Sequence, residues 1–493
     1  MPNNGSPVRL HPDNPRYLLY RGKPLVLITA SEHYGAVLNR NFDYVRYLNE
    51  AADKAMTNSR CFLLFRELEG LPHNPHSPCK PVPADYVAPF KRTGPGYAPD
   101  GYPRFDLDQW DDEYFTRLHD YLSEASRRGI VVELTLFSNS YGSNVWELNP
   151  FNIKNNVNGV GDIAWQSYTS MLDEGLFARQ AAYVRKVVRE VNAYDNLYFE
   201  ICNEPFGDHP GHASVEQVVA WHDALRGVIR EEEARLPKRH LVFQVPVEAH
   251  RMGSELDGLA DNSDVDAINL HDYHWLYYRG QAFHQLGRFM QKDTKLRGIQ
   301  HLWTTCHAVA KPLMFDEDNA ATNARDEQAW TLHRKRAWTT VCSGGHYDMI
   351  DFSIQAGGGE AGTPASRATI RTWLKHLSTF IHGIDFIHAT PVAGFCAGQP
   401  RDTWVSVLAN PGREYVLYVA DAREVDAPGA GQPISGTLSF ALPKGRYRMR
   451  CYSPERGEYI GREVPVGDGT VNLPLEPFVQ DVVVHIVACE SVG

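Results

Sequence analysis

Eight times between about residues 25 and 381 the chain passes from a short apolar run to a longer stretch with helical spacing. The runs are 25–30, 59–65, 130–137, 196–202, 241–245, 266–271, 312–315 and 346–352. They are rich in β-branched and aromatic residues and are bounded by turn formers, as strands are. The intervening stretches put apolar residues on one helical face: Phe42, Val45, Leu48, Ala52 and Met56 in one, Val184, Val187, Val188 and Val191 in another. Gly129 ends the helix predicted over 111–128. Eight strand–helix repeats of this total length predict an α/β fold, a (β/α)8 barrel with insertions. The competing arrangement is a doubly wound open sheet. No GxGxxG or GxxxxGK[ST] follows the first run, which weakens its nucleotide-binding forms.

Two long polar segments, 66–110 and 138–172, read as loops, and 281–309 reads as helical. From about residue 391 the spacing changes. Short alternating runs separated by turns such as Asn410-Pro411-Gly412 and Gly467-Asp468-Gly469 predict a small antiparallel β-sandwich. The expected division is a barrel over 1–388 and a sandwich over 389–493, the sandwich serving as a scaffold packed on the barrel.

Composition narrows the partners. A net charge of −11 argues against nucleic acid and anionic membrane surfaces, which call for basic patches. No run reaches the ~18 apolar residues of a membrane span, and the first residues lack the plan of a signal peptide. The eight scattered cysteines contain no CxxC pair and no zinc-like spacing. A cytoplasmic protein with no metal and no cofactor is expected, with oligomerisation left open.

In a barrel, residues just past the carboxyl ends of the strands converge on one face. The fourth strand ends in Asn203-Glu204-Pro205, and the proline is expected to hold Glu204 extended with its carboxylate aimed out of the sheet. The seventh strand, across the barrel, ends in Asp316-Glu317-Asp318. Alternation predicts that Asp316 and Glu317 point oppositely, so that one of them faces the pocket. Two opposed carboxyls are what acetal hydrolysis needs, one protonated as a donor and one ionised.

These strand ends give the chain its resemblance to known enzymes. Tyr198-Phe199-Glu200-Ile201-Cys202-Asn203-Glu204-Pro205 and Lys311-Pro312-Leu313-Met314-Phe315-Asp316-Glu317 resemble the two glutamate motifs of clan A retaining glycoside hydrolases, family 5 and its relatives. The likeness covers about residues 20 to 385. It implies a retaining β-glycosidase acting on an oligo- or polysaccharide by double displacement, with Glu204 as acid/base and Glu317 as nucleophile. By the same resemblance Asn203 binds the sugar's 2-hydroxyl, Arg60 keeps the nucleophile ionised, and His271 and Tyr273 orient it. Glu32 and His33 after the first strand, Asn139 after the third, and Trp146 and Trp275 in the loops complete the expected sugar-binding set. Trp165, Tyr277 and Tyr278 lie in loops on the same face. The family's tryptophan after strand eight and histidine after strand three have no counterpart here.

Two rival readings use the same residues. A metal-dependent barrel hydrolase would draw on His271, His274, Asp316 and Glu317, but the usual HxH pair on the first strand is missing. A non-catalytic carbohydrate-binding barrel would have no need of both glutamates.

Overall fold

The computed structural model describes residues 5–32, 35–64, 79–249, 253–271, 275–284, 295–318, 330–351, 364–425 and 427–489. Three of the expected site residues, His33, Tyr273 and His274, lie outside these residues.

Eight parallel strands form the central sheet: β1 Ile28–Ser31, β2 Asn58–Phe62, β3 Val131–Ser138, β4 Leu197–Asn203, β5 Val242–Gln244, β6 Ala267–Leu270, β7 Leu313–Asp318 and β8 His346–Ile350. Hydrogen bonds join them in sequence order from β2 to β8, and β8 then pairs with β1. The barrel nearly closes between β1 and β2. There the Thr57 N–H donates to the Ile28 carbonyl at 3.1 Å and the Arg60 N–H to the Ser31 hydroxyl at 3.3 Å. A helix follows each strand: α1 Tyr44–Asp53, α2 Asp112–Arg127, α3 Glu174–Val191, α4 Val215–Glu233, α5 Asp257–Ala260, α6 Leu296–Cys306, α7 Thr331–Cys342 and α8 Pro364–Ile381. Caps fix several starts. Asp111 accepts from the N–H groups of Glu113 and Tyr114, and Ser214 forms a capping box with Gln217.

The barrel is filled in layers. Leu27, Val131, Tyr198, Phe243, Ala267 and Met314 form an apolar floor, with Tyr198 and Phe243 stacked at 4.0 Å. Leu18 and Tyr20, from a three-stranded N-terminal sheet, close it from below. One layer higher the inward residues turn polar: Arg60, Glu133, Glu200, Asn269 and Asp316 are all fully buried. Every such group needs a partner in that setting, and the partners it finds build the site.

Three expectations change. Within the stretch read as a loop, Phe90–Tyr97 and Pro103–Trp110 pair as an antiparallel hairpin. Within the stretch read as helical, Gln281–His284 is a strand paired with Trp275–Tyr278. The two-residue turn between them, Arg279-Gly280, has both φ positive (49° and 73°), the geometry that closes a tight hairpin. Those strands belong to a five-stranded sheet that begins at Phe206–Gly207, directly after Pro205, and runs through Glu248–Ala249 and Gly253–Glu255. The third change concerns Glu204, which is left-handed (φ 44°), not extended. The Asn139 side chain donates to the Glu204 carbonyl at 3.2 Å, and the Asn139 N–H to that of Asn203 at 3.2 Å. These bonds to the end of β3 override the local preference set by Pro205.

Beyond Thr390 a six-stranded and a three-stranded antiparallel sheet pack face to face. The larger sheet is apolar on both sides. Leu417, Val419 and Val484 face the smaller sheet, whereas Val416, Tyr418 and Val483 join the core of the barrel. Helix α7 is pressed between them, and from Leu332 to Cys342 each of its residues is buried.

Candidate active site

Arg60, at the centre of β2, organises the polar layer. Its guanidinium donates to Glu133 at 3.0 Å, Glu200 at 2.6 Å and the Asn203 side-chain oxygen at 2.8 Å, lies 3.3 Å from Asp316, and donates to Glu317. The fixed fork of Arg suits several acceptors at once, which a lysine could not serve. Asn269 donates to both Glu133 and Glu200 at 2.9 Å, Tyr198 to Glu133 at 2.7 Å, and Thr135 to Glu200 at 2.8 Å. Burial, then the charges of Asp316 and Glu200, push the Glu133 carboxyl well above the usual range. Burial also acts to raise Asp316, but Arg60 and then His271 outweigh it and hold that carboxyl down to about 2.

The pairing of β7 with β8 shifts register between Phe315 and Asp318, and Glu317 is left-handed (φ 56°). Simple alternation therefore fails: Asp316 and Glu317 both turn toward Arg60, where one alone was expected to face inward. Two acidic residues in a conformation that costs an L-residue roughly 1 kcal/mol or more now stand at the ends of β4 and β7.

His271, just past β6, lies between them. Its Nδ1 is 3.1 Å from Glu204 Oε1 and 3.8 Å from Glu317 Oε2, and its Nε2 is 3.4 Å from Asp316 Oδ2. Burial alone would lower the imidazole, but Glu317 first, then Asp316 and Glu204, drive its pKa well up. One carboxylate oxygen of Glu204, one of Glu317 and a ring nitrogen of His271 all fall within 4.8 Å of one another. Glu204 is the more open of the two glutamates, its side chain 30 % exposed against 7 % for Glu317. Tyr141 donates its hydroxyl to Glu204 Oε2 at 2.5 Å and accepts from the Asn203 amide at 2.8 Å. Burial pushes Glu204 up, yet the bond from His271 and that from Tyr141 win and hold it below the usual range.

The other expected residues divide. Asn139 sits beside Glu204 but spends its amide on backbone. Glu32 is buried and turned onto its own chain, accepting from the Gly35 N–H at 3.1 and 3.0 Å. Trp146 is not presented to the pocket: it is 3 % exposed, its ring packs on Tyr168 at 5.0 Å and its N–H is bonded to the Ile163 carbonyl. Trp275 is half-buried beside Tyr277. Strand register sets both on the sheet face opposite Glu248. Tyr278 is buried.

Tyr141, Glu133, Asn269 and Glu248 were not among the expected site residues. A glutamate and an asparagine at inward positions of apolar strands were visible signals, whereas Tyr141 reaches Glu204 from an irregular loop. Burial, then the charge of Glu204, raises the Glu248 carboxyl to about 7, and its N–H donates to the Pro205 carbonyl at 2.9 Å.

A family model described as cellulase, glycosyl hydrolase family 5, matches residues 90–346, more than half of the chain. The chain belongs to glycoside hydrolase family 5. As a family 5 glycoside hydrolase it takes a carbohydrate substrate. Its backbone is similar along 99% of its length to a family 5 protein from Bacteroides vulgatus (TM-score 0.62, 14% identity, 93% of that chain). A second likeness is to the endo-1,4-beta-mannanase of Rhizomucor miehei (TM-score 0.50, 13% identity, 77% of this chain and 100% of that one). At such identities the likeness is one of fold. No curated protein sequence matches the chain. Among the described residues no helix is long and apolar enough to cross a membrane.

Proposed function

We propose that this family 5 enzyme is a retaining β-glycosidase that cleaves oligo- or polysaccharides by double displacement. The observation that carries the reading is the approach of Glu204 and Glu317 to within 4.8 Å, close to the ~5 Å typical of retaining sites and too near for an intervening water. In the first step Glu317 attacks the anomeric carbon, the glycosidic C–O bond breaks, and the leaving oxygen takes a proton from Glu204. In the second, a water gives its proton to Glu204, bonds to the anomeric carbon and releases Glu317.

The free site holds the proton needed for the first step on His271, one hydrogen bond from Glu204. Ion pairs lose ground to neutral pairs when water is excluded. A bound sugar that seals the mouth therefore favours neutral His271 beside protonated Glu204, arming the acid. Arg60 supplies the positive charge among the remaining carboxylates, the place a metal would take in the rival hydrolase reading. Eight free thiols, five of them buried, suit a reducing cytoplasm.

The test is to trap the intermediate with a panel of dinitrophenyl 2-deoxy-2-fluoro-β-glycosides and map the labelled peptide. A single glycosyl ester on Glu317 is expected. Label on another residue, or products of inverted configuration, would overturn the reading.

A further inference from the structure

Helix α7 carries Arg334 and Arg336 two residues apart, hence on nearly opposite faces, and each guanidinium is buried and committed to a carboxylate. Arg334 donates to both oxygens of Asp481, in the sandwich, at 2.8 Å, and Tyr418 donates to the same carboxylate at 2.9 Å. Trp338, one turn on from Arg334, stacks on Tyr418 at 5.5 Å, and Arg334 lies over the Trp373 ring at 4.3 Å. On the other face Arg336 donates to Asp318 at 2.8 Å. The Tyr347 hydroxyl donates to that carboxylate at 2.6 Å, and His333 Nδ1 is 3.5 Å from it. Asp318 is the residue after Glu317, at the point where β7 breaks register. Burial works against its charge, but Arg336 and His333 hold it well below the usual carboxylate range.

We infer that the β-sandwich is a positioning part of the active site: Asp481 sets the depth of α7, and α7 through Arg336 and Asp318 sets where Glu317 stands. The break in register leaves Glu317 outside the regular pairing of the two strands, so its place depends on Arg60 at its own carboxylate and on what grips the next residue. A helix is stiff along its length, and a shift at Arg334 is carried to Arg336. Asp481 and Arg334 touch no reacting atom; their effect passes through Asp318. The inference rests on the reading of Glu317 as nucleophile.

The experiment uses the full chain, with 4-nitrophenyl β-glycosides as probes, assayed well below each variant's Tm. Asp481→Asn is expected to lower kcat about tenfold with KM within about twofold. It is also expected to move the acid limb of kcat/KM upward by about half a pH unit, because Glu317 drifts from Arg60. Asp481→Glu, which keeps the charge, recovers part of both losses. If Asp481→Asn does not fold, Tyr418→Phe removes one bond to Asp481, keeps the ring stacked on Trp338 and shows the same changes in smaller measure. A lowered Tm with the parent's kcat and acid limb overturns the inference, leaving the pair a domain fastener. A parent enzyme inactive on every glycoside, or labelled away from Glu317, overturns the reading of the site instead.

Discussion

The hydroxyl of Tyr141 donates to Glu204 at 2.5 Å from a loop residue that is itself left-handed, φ 57°. This bond favours the ionised carboxylate, and so it sets how readily Glu204 gives up the proton it holds once a sugar is bound. Tyr141→Phe removes it. The Glu204 pKa rises, and the basic limb of kcat, which reports the sugar-bound enzyme, is expected to move up by about half a pH unit. A profile of kcat against pH on one aryl glycoside decides the matter; an unmoved limb would show that Tyr141 does not tune the acid.

Proton donation matters only when the leaving group needs it. Glu204→Gln is expected to cut the first step about a thousandfold for sugar or alkyl leaving groups and less than about tenfold for dinitrophenol. Pre-steady-state rates on a leaving-group series give the comparison, and equal losses across the series would remove Glu204 from the acid role.

Arg60 is the one guanidinium in contact with Glu133, Glu200, Asp316 and Glu317 among the described residues. Arg60→Met strands buried carboxylates without their cation, which costs about 3–5 kcal/mol. The urea midpoint falls accordingly. Arg60→Lys retains the charge but lacks the fork, and kcat drops even where folding is retained.

Two buried histidines set the acid side of the stability curve. His346 accepts from the Leu27 N–H at 2.8 Å, and burial lowers its pKa to about 4, as it does that of His222. The unfolded chain protonates these rings near pH 6.5 and the folded chain only near 4, so stability drains as pH falls through that window. Each contributes on the order of 3 kcal/mol. Asp316 has the same sign at lower pH: its contribution is present above the unfolded value of 3.8 and is lost only toward about 2. Urea melts at pH 7, 5.5 and 4.5 are expected to show a falling midpoint, with a shallower fall in His346→Gln.

The repeat of strands and helices was legible because burial on both sides of a parallel strand writes an apolar run, and Asn203-Glu204-Pro205 marked one edge of the candidate site. What was not legible depends on contacts distant in sequence. Asn139 bends Glu204 away from the extended form its proline favours. The bulge in β7 sends Asp316 and Glu317 to the same side, against alternation. Trp146 looked like a platform because aromatic content in a loop says nothing about which way the ring faces. The Arg279-Gly280 turn was a readable hairpin signal, but helical spacing in the flanking residues masked it.

The Arg334–Asp481 contact joins residues 147 positions apart. During synthesis α7 is therefore made long before the carboxylate that neutralises it, with three adjacent cations and a tryptophan still awaiting cover. The cover of this helix is therefore complete only once the last sheet strand, Asp481–Ala488, has been made.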